Sequence, residues 1–132
     1  MKIFYGFSAA VLVLAFVMFG GPISTADQGI TADSIVGKWK EPDEDAVVQI
    51  ENKGAYYEGA VVESPSHPEG VSTTIFKNLV YDGSKGVWKG QVYSIERKKD
   101  YNVEIKMSDT SMFTMKAKAG LLSKTIEWSR VQ

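Results

Sequence analysis

Tyr101-Asn-Val-Glu-Ile-Lys-Met107 is the stretch whose pattern decides the fold. Tyr101, Val103, Ile105 and Met107 are apolar, while Asn102, Glu104 and Lys106 are polar. A period of two gives a strand one dry face and one wet face. The pattern recurs on both sides. Phe113, Met115 and Ala117 alternate with Thr114, Lys116 and Lys118; the inward set then passes to Ile126, Trp128 and Arg130 against Thr125, Glu127 and Ser129. Upstream, Val87–Ser94 carries Trp88, Gly90 and Val92 on one side. Stripes that face one interior from successive segments predict antiparallel strands joined by hairpins.

The first half of the chain extends this reading. Ile35–Glu41 is expected as the first strand, with Ile35, Gly37 and Trp39 on one face, and Pro42 stops it. An acidic turn, Asp43-Glu44-Asp45, leads to a second strand over Ala46–Glu51, and Asn52-Lys53-Gly54 supplies the next turn. In the third, Ala55–Glu63, both faces carry apolar residues and the inward one is open; Gly59 marks a bend or bulge. Ser64–Gly70, with Pro65 and Pro68 around His67, is a loop before a fourth strand over Ser72–Tyr81. Arg97–Asp100, Ser108–Thr110 and Ala119–Ser123 close the later hairpins. No sustained helical period follows Ser34, so the chain reads as all-β: about eight strands in a small antiparallel up-and-down barrel, which leaves no free edge.

Ahead of the barrel domain (35–132) stand two other segments. Residues 1–26 contain Lys2, an apolar run from Ile3 to Phe19, a Gly20-Gly21-Pro22 break and the small residues Ser24, Thr25 and Ala26. This is a signal-peptide pattern with cleavage after Ala26; a retained membrane anchor is the competing reading. Residues 27–34 form a polar lead-in whose Thr31–Ser34 caps a short helical turn. The expected location is periplasmic or secreted, with no integral membrane span after cleavage.

Composition narrows the chemistry. The net charge of −1 argues against a nucleic-acid binder. One histidine and no cysteine argue against zinc and thiol chemistry. His67 has no marked nucleophile partner, Asp43, Glu44 and Asp45 read as a solvated turn, and no phosphate-cradling loop opens a helix. Neither catalytic residues, a metal nor a cofactor is expected. Arg97, Lys98 and Lys99 either meet an anionic partner or keep a hairpin wet.

Gly37-Lys-Trp39 on the first strand, taken with Arg130 on the last, resembles the lipocalin and calycin signature, in which a tryptophan packs under a basic side chain; Trp39 and Arg130 are then a barrel-end structural pair. The order of Val36-Gly-Lys-Trp39, Val47-Val-Gln-Ile50, Tyr57-Glu-Gly-Ala60, Trp88-Lys-Gly-Gln-Val-Tyr93, Ala119-Gly-Leu-Leu122 and Thr125-Ile-Glu-Trp-Ser-Arg130 is similar to an exported bacterial family known as domain of unknown function 2147. Ser94-Ile-Glu-Arg-Lys98 and Ser123-Lys124 depart from that family's turns. The resemblance implies a lipocalin-like barrel outside the cytoplasm and no established activity.

Six aromatic residues, Trp39, Tyr57, Trp88, Tyr101, Phe113 and Trp128, either line a cup for a small hydrophobic ligand or fill the lumen. The expected function is an exported non-enzymatic binding module holding such a ligand. The alternative is an interaction or structural protein of the cell envelope, with a solid core and a partner met by loops and outer face.

Overall fold

The computed structural model describes residues 29–132, and the segment read as a signal peptide lies outside them. Eight strands close one antiparallel barrel in chain order: β1 Gly37–Lys40, β2 Val47–Asn52, β3 Tyr57–Glu63, β4 Thr74–Asp82, β5 Val87–Ser94, β6 Lys99–Asp109, β7 Met112–Ala119 and β8 Leu122–Arg130. The last strand returns to the first through Trp39–Arg130 and Lys40–Ser129. The long hairpins of β5 to β8 follow the parity of the sequence: Trp88 pairs with Ile105, Ile105 with Met115, and Met115 with Ile126.

One boundary differs from expectation in kind. Ile35 continues the stripe of Gly37 and Trp39 by parity, yet it ends a one-turn 3-10 helix, Ala32–Ile35. The Thr31 amide donates to Ser34 Oγ at 2.7 Å, which holds the turn. Ile35 is fully buried and plugs the barrel end beneath it. The third strand, whose inward face the sequence left open, buries Tyr57, Gly59 and Val61. Its pairing with β4 shifts register on both sides of Gly59. A Cβ there would stand 3.0 Å from Ile50 Cγ1 and from Phe76 Cδ2, so the glycine makes room for a ring in the lumen.

A second irregularity lies between β4 and β5, where the register shifts between Lys77 and Val80. Asn78 takes φ 52°, a left-handed conformation that asparagine tolerates better than most residues. The bulge presses its backbone against Gly90, whose added Cβ would lie 2.6 Å from the Lys77 carbonyl oxygen and 2.7 Å from that of Asn78. Backbone cannot yield there as a side chain would.

The lumen is occupied by side chains. Trp39, Trp88, Phe76, Phe113, Ile35, Ile50, Leu79 and Ile105 are fully buried. Phe113 connects the rings: its centroid lies 4.6 Å from Trp39, 5.8 Å from Trp128 in a near-parallel stack, and 6.0 Å from Phe76. Tilted and edge contacts of this kind suit the aromatic quadrupole.

Candidate functional site

Up-and-down order sends alternate connections to opposite ends. One end holds residues 29–36, the turns 53–56, 83–86 and 110–111, and the C-terminus; the other, the rim, holds the loops 41–46, 64–73, 95–98 and 120–121.

The first end is bolted shut. Trp39 Nε1 donates to the Ile35 carbonyl at 2.9 Å, and Trp88 Nε1 to that of Ala32 at 3.1 Å, so two lumen indoles hold the 3-10 helix. Tyr57 donates its hydroxyl to Asp33 at 2.5 Å. Burial, then this hydrogen bond and the nearby carboxylate charge, push the phenol up to about 12. Arg130 lies over Trp39, 4.3 Å from the ring centroid. Its guanidinium donates to three backbone carbonyls: Thr110 at 2.7 Å, Val36 at 2.9 Å and Ser34 at 2.6 Å. Gly37 admits it, because φ is +141° there and a Cβ would collide with Nη1 of Arg130. The Gly-Lys-Trp motif therefore serves the bolt: glycine for passage, tryptophan for the stacking face.

Of the six aromatic residues read as ligand candidates, Trp39, Tyr57, Trp88, Phe113 and Trp128 are buried among other core side chains. Tyr101 is half-buried toward the rim, with Lys99 Nζ 5.8 Å from its ring centroid. Trp128 differs from the other two tryptophans. Its Nε1 is the one buried side-chain polar atom among the described residues without a hydrogen-bond partner.

The rim is divided by charge. On the β1–β2 and β3–β4 side stand Glu41, Asp43, Glu44, Asp45, Glu63 and Glu69. Asp45 accepts from both the amide and the hydroxyl of Ser66, which ties the two loops together. Between them is a surface hollow of about 390 Å³ lined by Lys40, Pro42, Asp43, Glu44, Asp45, Ser66 and His67. His67 itself is exposed, with Nδ1 3.5 Å from a Glu69 carboxylate oxygen. Glu41 is half-buried; burial first, then Glu44, raises its carboxyl above the ordinary range, and Lys124 draws it part of the way back.

The other half carries Arg97, Lys98, Lys99 and Lys118, all exposed, and Lys124 stands at the border, close enough to Glu41 to act on it. Here too are Ile95, Leu121 and Leu122, the last two 105% and 76% exposed. By sequence, Leu121 and Leu122 belong to the connector Ala119–Ser123. Their signal was present as adjacent leucines beside a turn glycine, where strand alternation has already ended. A second hollow, about 320 Å³, lies on the outer wall among Lys89, Gly90, Asn102, Val103, Glu104, Lys116 and Lys118.

A family model described as "uncharacterized protein conserved in bacteria" (DUF2147) matches residues 37–130, from the glycine of the bolt to its arginine. The chain belongs to this family. Its described residues form a closed eight-stranded barrel consistent with a lipocalin-like fold. No curated protein and no solved structure matches the chain.

Proposed function

We propose that this member of the family is an exported, non-enzymatic binding module of the bacterial cell envelope that works from the rim of a filled barrel. The filled lumen supports this reading most strongly: the bulkiest inward rings contact one another, and two of the three indole N–H groups are used to close one end. What remains available for recognition is the outer face, above all the rim, with its separated charge and exposed apolar side chains. Co-sedimentation of the chain lacking residues 1–26 with a purified envelope fraction tests the reading. Charge reversal at Lys98 and Lys99 should abolish retention with the melting temperature unchanged, whereas Trp88→Phe should lower the melting temperature and leave retention intact. The reverse pattern rejects it.

The unpartnered indole of Trp128 favours a second reading, in which a small hydrophobic ligand with one hydrogen-bond acceptor enters the lumen and accepts from it. Titration with a fatty acid or an environment-sensitive dye tests this directly. Lack of saturable binding removes it.

A further inference from the structure

We propose that the neighbouring hairpin tips 95–98 and 120–121 form a docking surface for an anionic lipid bilayer, with Leu121 and Leu122 entering its interface. This deepens the rim reading and rests on it.

Three observations carry the proposal. First, the leucines are presented rather than loosely exposed. β7 and β8 pair through Ala119–Leu122, so Gly120 and Leu121 form a two-residue turn, and φ +66° at Gly120 fits such a turn. Leu121 stands at the apex with its whole side chain in solvent, and Leu122 begins the returning strand. Second, the neighbouring tip is level with it. β6 and β7 pair through Asn102–Lys118 and Val103–Ala117, so the same register brings Leu121 level with Lys99, beside the 95–98 turn that carries Ile95. Ile95 also reaches the 64–73 loop, where its Cδ1 would lie 3.7 Å from a Cβ on Gly70. Third, the charge around these apolar groups has one dominant sign. Arg97, Lys98, Lys99 and Lys118 are exposed there, with Lys124 at the border facing Glu41, against Glu96 and Asp100, and Asp100 is already paired with Lys77 at 3.1 Å.

Apolar tips set among cations fit a surface with an apolar interior and an anionic face. A soluble anionic polymer would satisfy the lysines and leave the leucines in water. The acidic half of the rim, from Glu41 to Glu69, faces the same end and would be repelled. The barrel would therefore dock tilted, with the β5–β8 side down.

Vesicles of zwitterionic lipid with and without phosphatidylglycerol test this with the chain lacking residues 1–26. Because the chain has no cysteine, a single one introduced by Ser123→Cys takes a polarity-sensitive dye beside the leucines, and Lys85→Cys takes it at the opposite end. The expected result is binding to anionic vesicles alone, weakened as salt rises, with a blue shift at position 123 and none at position 85. The double substitution Leu121→Ser/Leu122→Ser should weaken partitioning by about tenfold or more, as should Lys98→Glu/Lys99→Glu, with melting temperatures unchanged. No vesicle binding, equal binding to zwitterionic vesicles, or equal dye shifts at both ends overturns the proposal. If purified cell-wall polymer is retained instead and the lysine variant loses it, the lipid assignment falls while the rim reading stands. Rim variants without effect on either ligand remove both.

Discussion

Replacing Arg130 by Met tests how the barrel is closed. Methionine keeps an apolar stem to cover Trp39 but removes the charge and all three donors. The loss comprises a cation–π contact at 4.3 Å and hydrogen bonds of 2.6 to 2.9 Å to Ser34, Val36 and Thr110. A partly exposed cation–π contact contributes ~1 kcal/mol and each charged hydrogen bond ~1.5 kcal/mol at its lower limit. Water can reach part of this half-buried site and satisfy some of the freed carbonyls, so the net cost is about 3 kcal/mol rather than the full sum. For a domain near 100 residues this lowers the melting midpoint by roughly 12 °C or more. Thermal unfolding followed by tryptophan fluorescence and by near-ultraviolet circular dichroism measures it. Arg130→Lys should fall between the two, because a point charge cannot span three carbonyls as the guanidinium fork does. An Arg130→Met midpoint within ~3 °C of the parent would refute the bolt as a stabilising device.

Three further outcomes follow from the packing and the titrating groups. Gly90→Ala should destabilise by about 2 kcal/mol or more, since the new methyl meets the carbonyls of Lys77 and Asn78; an unchanged urea midpoint would contradict that contact. Tyr57 titrates near 12 when folded and near 10 when unfolded, so the native state should lose stability as pH rises from 10 to 12. Tyr57→Phe should be less stable than the parent at pH 8, through loss of the Asp33 hydrogen bond, and should lack that alkaline component; parallel pH–stability curves would count against it. Glu41 has a raised carboxyl, so its ionisation opposes folding above the ordinary 4.5 and not below it. Glu41→Gln should therefore melt higher than the parent at pH 7 and match it near pH 3, and a parent more stable at pH 7 would reverse the assignment.

Strand number and inward parity were legible from alternation in the second half of the chain, because a half-buried sheet there requires a period of two. The ends were less legible. Lys99, Asp100, Ser108, Asp109 and Ala119 extend β6 and β7 into stretches expected as turns, because pairing with a long neighbour continues after alternation has stopped. Parity with Trp39 places Ile35 on a strand; the carbonyls that receive the Trp39 and Trp88 indoles lie on the 3-10 helix, and only the closed tertiary arrangement brings them there. The aromatic set was visible as inward, but whether rings line a space or fill it depends on centroid distances across strands far apart in sequence.

The rim shows the same division. Arg97, Lys98 and Lys99 were conspicuous as a run, whereas Leu121 and Leu122 looked like ordinary apolar residues in a connector. Sequence alone determined the all-β class and the inward stripes, since both follow from local period, whereas the Trp39–Arg130 pair was implied by the lipocalin resemblance and the closed barrel is what sets the guanidinium over the ring. Tertiary structure decided that the lumen is filled, that charge separates across the rim and that the two leucines share its basic side with Arg97, Lys98, Lys99 and Lys118. Those properties depend on register and closure, which bring together side chains that no local pattern connects.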